Sequence, residues 1–262
     1  MEPDVVLAAY DAQVRRSVLP DGSGALVEVD GPVVRWATVN GHGWSGVTWS
    51  DLSDSDADSV IAAQAAYFRD RGEEFEWKLY DYDRPPDLPA RLLRAGFAAE
   101  PAEALMVADS SAVATEVALS PGVRLVPVTD AAGVGMLIDV HERVFGTDHS
   151  RLRRSLTAQL RDAPELTAMV VAVAGDEPVC SARVEFIPGR EFAGMWGGGT
   201  LPAWRGQGIY RALVAYRARL AVQRGYRYLQ VDASPESEPI LGRLGFAVLA
   251  RTTPYVWTPA NG

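Results

Sequence analysis

The chain has 262 residues, 48% of them hydrophobic, so it is long enough for two domains and apolar enough for a packed core. Its N-terminal stretch is too interrupted for a signal peptide, and no apolar run approaches the roughly 20 residues that cross a bilayer. We therefore expect a cytoplasmic protein with no membrane partner. A single cysteine, Cys180, excludes an internal disulfide, and three histidines leave little material for a metal site.

The net charge of −9 is divided unevenly between the two halves. Residues 1–122 contain 21 acidic and 9 basic side chains, a net charge of −12, whereas residues 123–262 contain 13 acidic and 16 basic ones, a net charge of +3. All the basic residues except Lys78 are arginines. This distribution suits the C-terminal half to an anionic ligand, and the acidic N-terminal half argues against nucleic acid as the main partner.

The N-terminal half alternates between predicted strands and helices. A strand at residues 33–39 precedes an apolar helix that ends in Arg71-Gly72. An aromatic-rich strand at residues 75–81 and a short helix before Gly96-Phe97 follow. The segment between the first strand and the first helix would repel a diphosphate through its four aspartates, although a solvated loop with helix-capping residues is the simpler alternative. These aspartates are Asp51, Asp54, Asp56 and Asp58.

A linker and an internal repeat define the domain organisation. Residues 109–122 are small and polar at first and end in Pro121-Gly122, which is typical of a linker and predicts domains at 1–118 and 119–262. The stretch from Arg91 to Val107 superposes on the stretch from Ile240 to Trp257 at an offset of 149 residues. Each copy follows a helix that ends in Arg-Gly and an aromatic-rich strand, which indicates a duplicated α/β unit.

The sequence of the C-terminal half predicts two short helices around Phe145-Gly146, followed by three antiparallel strands. A long helix, a strand parallel to the third strand and another short helix come next. From the first strand onward these elements lie at residues 167–174, 179–186, 192–201, 209–224, 226–232 and 234–244. The long helix shows one apolar face and ends before Gly225. Its apolar residues are Ile209, Leu213, Tyr216 and Leu220.

A loop with two glycines joins the third strand to the long helix. Gly206 and Gly208 let bare backbone approach a ligand, and the N–H groups and dipole of the helix start favour an anion. With Arg205 as a counter-charge, the loop suits a diphosphate; a tight turn without a ligand is the alternative. The sequence lacks the Gly-Lys-Ser/Thr of nucleoside triphosphatases, and Arg211 interrupts the Gly-x-Gly-x-x-Gly pattern of dinucleotide sites.

Taken together, the strands, loop, helix and Gly-Phe unit of residues 123–257 resemble the GNAT family of N-acetyltransferases. The acetyl-CoA signature of that family, Gln/Arg-x-x-Gly-x-Gly/Ala, corresponds here to Arg205 to Tyr210. Tyr210 departs from it, and we expect this residue to widen or reorient the last turn of the loop. The resemblance implies an α/β (α+β) fold of two GNAT-like acyl-CoA N-acyltransferase domains, each a mixed, mostly antiparallel sheet flanked by helices. The N-terminal half lacks the signature and is interpreted as a degenerate copy that does not bind the cofactor.

The same resemblance implies an acyltransferase that moves an acetyl group directly from acetyl-CoA to the amine of a small molecule. It implies no metal and a monomer or homodimer. Another acyl-CoA, a protein or hydroxyl acceptor, or a non-catalytic acyl-CoA-binding module are the alternatives. Contacts with the cofactor are expected from Thr200, Leu201, Arg205, Gly206, Gln207, Gly208, Ile209 and Tyr210.

The groups that transfer protons are less clearly marked. Where many family members carry a glutamate and a tyrosine, this sequence has Met195 or Trp196 and Leu241. Each candidate also fits an ordinary structural role. The candidate catalytic residues are Glu185, Ser237 and Tyr255, with Asp232 and Ser234 as further ones.

Two other features point to the acceptor side of such a site. The helices around Phe145-Gly146 correspond to the region that covers the acceptor in the family. The glycines from Gly197 to Gly199 predict either a bulge at which backbone approaches a ligand or a softened strand edge. The side chains expected to face the acceptor are His141, Glu142, Asp148 and His149.

Overall fold

The computed structural model of the chain describes residues 2–17, 19, 25–39, 44–114 and 116–259. The helices are α1 (Pro3–Tyr10), α2 (Ala57–Asp70), α3 (Leu88–Arg94), α4 (Ala131–Phe145), α5 (Ser150–Asp162), α6 (Ile209–Gln223) and α7 (Glu238–Arg243). The strands of the N-terminal half are β1 (Leu26–Asp30), β2 (Val33–Ala37), β3 (Gly46–Ser50), β4 (Phe75–Tyr80), β5 (Ala98–Ala99) and β6 (Glu103–Asp109). Those of the C-terminal half are β7 (Val123–Val128), β8 (Thr167–Ala174), β9 (Glu177–Phe186), β10 (Phe192–Thr200), β11 (Tyr228–Ala233) and β12 (Ala247–Trp257).

All the described strands belong to one sheet. Its order is β1-β2-β3-β4-β12-β6-β11-β10-β9-β8-β7, with β5 paired to β12. The pairs β3-β4 and β10-β11 are parallel, and the remaining pairs are antiparallel. The mixed, mostly antiparallel sheet flanked by helices that the sequence predicts is therefore confirmed, and the two halves share it.

The two halves exchange their last long strands. Strand β6 of the N-terminal half pairs with β11 of the C-terminal half through six residues, Ala104 to Asp109. In return β12, from the end of the chain, pairs with β4 from Thr252 to Trp257. The exchanged strands also pair with each other. Neither half therefore completes its part of the sheet without the other.

Helices cover both faces of the sheet. On one face, α2 and α3 pack over the N-terminal strands, and α6 and α7 pack over the C-terminal ones. On the opposite face, α1 packs over β6, β10 and β11, and α4 with α5 packs over β7 and β8. We call this second side the α1/α4 face. Because side chains alternate along a strand, Lys78 on β4 and Asp232 on β11 both lie on it, next to the inward-facing Tyr80 and Tyr228.

Strand exchange predicts that the chain unfolds in one step. Melting of either half would expose the long strand that the other half has lent to it, so the two halves cannot lose structure independently. Scanning calorimetry is expected to give one transition, with the calorimetric enthalpy equal to the van't Hoff enthalpy. Two resolved transitions, or tryptophan fluorescence and far-ultraviolet circular dichroism with different midpoints, would contradict this prediction.

Candidate functional site

A wedge opens in the middle of the sheet, between β10 and β11. The two strands pair over only three residues, Phe192 to Gly194 with Tyr228 to Gln230. Beyond that point β10 bulges between Trp196 and Gly199 against β9, and Gly197 has a φ of +60°. Main-chain groups on the facing edges of the two strands are therefore released from the sheet ladder.

Three consecutive glycines of β10, Gly197 to Gly199, make room for side chains of this protein. A Cβ atom at Gly198 would lie 2.9 Å from the ring of Tyr210, and one at Gly199 would lie 2.9 Å from Val144. At Gly197 the nearest atoms belong to Arg183 and to the imidazole of His141. The predicted bulge is thus present, and helices α4 and α6 approach it from opposite faces.

The loop after β10 presents a row of main-chain donors. Gly206 and Gly208 have φ values of +75° and +78°, and α6 begins directly after Gly208. Among the residues that the structure describes, none accepts a hydrogen bond from the main-chain N–H groups of residues 206 to 211. These donors stand at the positive end of a 15-residue helix, an arrangement that favours an anion.

The corresponding loop of the N-terminal half is bonded internally. Before α2, the N–H groups of Asp56 and Ala57 donate to the carbonyl oxygen of Ser53, and the N–H of Ser53 donates to the Asp56 carboxylate. Asp58 pairs with Arg91. This loop therefore has both a negative charge and fewer available donors, which agrees with its interpretation as a degenerate copy.

Tyr210 does not disturb the loop between β10 and α6. Its ring points under the sheet into the space at Gly198, beside the buried Arg217. Helix α6 starts regularly, because the N–H of Ala212 donates to the carbonyl oxygen of Gly208 at 3.0 Å. The expected widening of the last turn is not seen, since Gly198 accommodates the larger side chain instead.

The remaining predicted loop residues shape the wall of the wedge. The guanidinium of Arg205 donates to the carbonyl oxygen of Thr200 at 3.1 Å, so this exposed side chain is held beside the loop. The buried Leu201 donates its N–H to Val179. The hydroxyl of Thr200 lies 3.0 Å from the sulfur of Cys180. Burial raises the pKa of Cys180 to about 11, so this cysteine stays a thiol and is a poor nucleophile.

A polar cluster lines the wedge on the α1/α4 face. Lys78 donates a hydrogen bond to Asp232 Oδ2, and its ammonium lies 5.7 Å from the centre of the Trp196 ring. The guanidinium of Arg183 lies 6.0 Å from the same ring. Burial lowers the pKa of Lys78, but the attraction of Asp232 outweighs it and holds the pKa above its usual value. Lys78 is therefore a cation that the N-terminal half extends to the edge of the wedge.

His141 approaches the bulge from α4. Its ring contacts Phe145 and His149, with centroid distances of 4.4 and 4.2 Å. Its Nδ1 is buried and has no hydrogen-bond partner among the described residues. Burial, then His149 and Arg183, lower the pKa of His141 to about 4. The imidazole is therefore neutral at physiological pH.

The structure brings some of the other predicted residues to the wedge and separates others from it. Glu185 pairs in register with Gly194, on the α1/α4 face, and accepts a hydrogen bond from Arg183 Nε at 3.2 Å. Ser237 follows the end of β11, and its hydroxyl lies 2.8 Å from that of Ser234. Tyr255 pairs with Trp77 in the core of the N-terminal half, because β12 is exchanged. The structure does not place Tyr255 at the wedge.

The side chains expected to cover the acceptor have local partners. Glu142 accepts a hydrogen bond from the main-chain N–H of His149. Asp148 accepts one from the N–H of Ser150, at the start of α5. These contacts fix the turn between α4 and α5. Of this group, His141 alone has a contact with β10 among those described.

Comparison with known protein families matches residues 136–246 to the acetyltransferase (GNAT) family. The C-terminal half of the chain is a GNAT domain. The matched region begins in α4 and ends at the Gly-Phe unit before β12, so it contains the wedge, the loop and α6. Comparison with curated proteins finds no match.

Solved structures share the fold of this chain over most or all of its length. It is similar to a GCN5-related N-acetyltransferase from Kribbella flavida, with a TM-score of 0.70 and 17% identity over 100% of this chain and 96% of that one. A tandem GNAT protein from the clavulanic acid biosynthesis pathway gives a TM-score of 0.64 and 13% identity over 99% and 95% of the two chains. A GCN5-related N-acetyltransferase from Sphaerobacter thermophilus gives 0.63 and 14% over 87% and 76%. The tandem GNAT arrangement is consistent with these similarities.

Two further properties concern the described residues only. No helix among them is both long and apolar enough to span a membrane. No three or more His, Cys, Asp and Glu side chains among them are grouped so as to hold a metal ion.

Glu103 lies on β6, near Lys78 and Asp232 of the polar cluster. We expect it to make the stability of the protein depend on pH. Burial and the neighbouring Asp232 raise its pKa to about 7, whereas the unfolded chain has the ordinary value. Between these two values the folded state binds more protons, so stability is lost as the pH rises. Glu103→Gln is expected to match the wild type near pH 4 and to be more stable at pH 8 by about 1 kcal/mol, after allowance for solvent screening. Urea denaturation of both proteins at the two pH values measures this difference, and a variant less stable at pH 8 would contradict it.

Proposed function

We propose that the protein is an acetyl-CoA-dependent N-acetyltransferase that acts on the amine of a small molecule. The row of unbonded main-chain N–H groups from residue 206 to 211, at the mouth of the wedge, carries this proposal. A diphosphate presents several acceptor oxygens and negative charge to such a row. The neutral-to-basic C-terminal half adds to the attraction.

The residues around the loop fit a bound coenzyme A. Gly206, Gly208 and the first turn of α6 would hold its diphosphate, with Arg205 as the nearby cation. The released edges of β10 and β11 offer main-chain hydrogen bonds to the two amides of the pantetheine arm. Thr200 and Leu201 form the buried wall along which that arm would enter the wedge. The second loop, before α2, lacks these features, and we propose that the half comprising residues 1–118 binds no coenzyme A.

Acetyl-CoA supplies an activated acetyl thioester to this site. The amine nitrogen bonds to the acetyl carbon as the carbon–sulfur bond breaks; the amine gives up one proton, and the departing sulfur takes up one. The α1/α4 face is the side from which an amine can reach the wedge, because α6 and the loop occupy the opposite side. Proton transfer therefore depends on groups on the α1/α4 face.

Glu185 and His141 are two groups on that face that lie beside β10 and are able to accept the proton. Glu185 lies where β10 and β11 begin to separate, but its carboxylate already accepts a hydrogen bond from Arg183. His141 contacts the bulge at Gly197, and its Nδ1 has no partner among the described residues. Its low pKa keeps it unprotonated. We therefore propose His141 as the proton acceptor and Glu185 as a residue that positions Arg183.

A substitution in the loop tests cofactor binding. Gly208→Asp places a carboxylate among the amides and is expected to abolish acetyl-CoA binding in isothermal titration calorimetry, because like charges repel in the diphosphate site. Gly208→Asn introduces the same shape without the charge, and both residues tolerate the left-handed backbone. The asparagine variant is expected to bind more weakly than the wild type but measurably.

Gly225→Asp is the matched control for stability. Gly225 follows the other end of α6, with nearly the same φ of +77° and open space around it. It should lower the melting temperature at least as much as Gly208→Asp, because a carboxylate at the C-terminal end of α6 opposes the helix dipole, without changing affinity for acetyl-CoA. Unchanged affinity in Gly208→Asp would overturn the assignment of the loop.

Substitution of the two candidate bases distinguishes their roles. With acetyl-CoA and a reactive primary amine, His141→Gln is expected to lower kcat about a hundredfold, the usual size of general-base catalysis. The KM for acetyl-CoA should change little. Glu185→Gln should lower kcat by a much smaller factor. The reverse order would make Glu185, one of the candidates that the sequence offers, the base.

Turnover itself is tested by following thiol release from acetyl-CoA with a panel of amines. Acetylated product with at least one amine supports the proposed reaction. Calorimetric binding of acetyl-CoA without turnover of any amine would instead favour a non-catalytic acyl-CoA-binding module. Faster reaction with a longer acyl-CoA would show that acetyl-CoA is not the preferred acyl donor. The proposed site for coenzyme A would remain the same.

A further inference from the structure

Three carboxylates from both halves of the chain converge on the α1/α4 face beside the wedge. Asp232 comes from β11, Glu103 from the exchanged strand β6 and Glu76 from β4. Asp232 pairs in register with Leu105, so Glu103 is its diagonal neighbour on the same face. Lys78 lies between them and bonds Asp232. Three carboxylates thus face one ammonium, which leaves the cluster with excess acidic groups.

The cluster contains buried acceptor atoms that are not satisfied. The Asp232 side chain is only 4% exposed, and one of its oxygens accepts a hydrogen bond from Lys78. The other oxygen, Oδ1, is buried and has no hydrogen-bond partner among the described residues. Gln230 is also 4% exposed, and its side-chain oxygen likewise has no hydrogen-bond partner among the described residues. Buried acceptors of this kind are costly unless a donor reaches them.

These atoms lie at the opening of the wedge. Gln230 is the last residue of β11 that pairs with β10, and Asp232 follows two positions later on the same side. The side chains of Gln230 and Trp196 meet over Gly194, where a Cβ atom would lie 2.9 Å from a nitrogen of each. A primary amine directed at the wedge from the α1/α4 face would therefore meet the oxygens of Asp232 and Gln230.

Glu103 and Glu76 extend the acidic surface away from the wedge. Both are half-buried, so each remains in reach of a ligand on this face. The indole N–H of Trp44 donates to Glu76 at 2.8 Å and fixes that carboxylate. Both glutamates belong to the N-terminal half, which carries the negative charge of the chain.

We propose that the acceptor is a small diamine, whose reacting amine is bound at Asp232 and Gln230 and whose second ammonium is bound by Glu103 and Glu76. This inference rests on the proposed N-acetyltransferase function and adds the class of acceptor. It gives the N-terminal half a direct role, because the distal ammonium contacts residues of β4 and β6. An acceptor with a distal carboxylate would be repelled by the same two glutamates.

Three acceptors of equal chain length test the proposal on the intact protein. They are 1,4-diaminobutane, 1-aminobutane and 4-aminobutanoate, which differ in the charge of the distal end. With acetyl-CoA at saturation, kcat/KM is expected to be at least about tenfold higher for the diamine than for the monoamine, the size of one partly exposed ion pair with an ammonium. It should be lower still for 4-aminobutanoate. Equal values for the diamine and the monoamine, or a higher value for 4-aminobutanoate, would overturn the proposal.

Charge-removing variants locate the distal subsite. Glu103→Gln is expected to lower kcat/KM for 1,4-diaminobutane about tenfold through KM and to leave the value for 1-aminobutane unchanged. Glu165→Gln removes the same charge from an exposed position outside the cluster. This variant should leave kcat/KM unchanged for both amines. An equal effect of Glu103→Gln on both amines would show a general structural role and contradict the proposal.

The two levels of inference fail in different ways. If no amine is acetylated although acetyl-CoA binds, the proposed function fails, and the acceptor class with it. If the amines are acetylated without preference for the diamine, the proposed function stands and only the acceptor class is wrong. Calorimetric binding of acetyl-CoA to Glu103→Gln, expected to equal the wild type, shows that the variant keeps its cofactor site.

Discussion

The pairing of β11 on its two edges is the constraint on which the site depends. On one edge β11 bonds β6 through all six of its residues, and on the other it bonds β10 through only three. A strand held along one whole edge can leave its second neighbour without losing its place in the sheet. Because β6 comes from the N-terminal half, that half keeps the wedge open even though its own loop before α2 is bonded internally.

The two halves use the same topology for different electrostatic purposes. Parallel pairing of β3 with β4 repeats that of β10 with β11, and a helix follows the first strand in each case. In the C-terminal copy the loop before the helix offers free N–H groups and an arginine. In the N-terminal copy, the Asp56 carboxylate accepts the N–H of Ser53, and the Ser53 carbonyl oxygen accepts those of Asp56 and Ala57. Excess negative charge is unfavourable for a diphosphate but favourable for an ammonium, which is the division of roles that the proposed reaction requires.

Local patterns in the sequence predicted most of the C-terminal elements and the loop, because periodicity, glycines and helix ends are encoded within a few residues. The exchange of β6 and β12 was not predictable, since the repeat of Gly-Phe units fits paired or separate sheets equally well. For the same reason, the sequence alone could not show that Tyr255 packs in the core of the N-terminal half. Lys78 and Asp232 lie 154 residues apart, and no local pattern relates them. Tyr210 departs from the family signature, but its compensation by Gly198 is visible only in three dimensions.

The ion pair of Lys78 with Asp232 is better understood as part of the site than as a support of the fold. Removal of two charges from water offsets much of their attraction, so a buried pair contributes little to stability compared with well-packed apolar side chains. Here the pair also leaves Oδ1 of Asp232 without a donor among the residues that the structure describes, which adds to the cost of burial. That cost falls when an ammonium occupies the face and supplies the missing hydrogen bond. Lys78 compensates the charge of Asp232 through Oδ2 and leaves Oδ1 for the amine of the proposed acceptor.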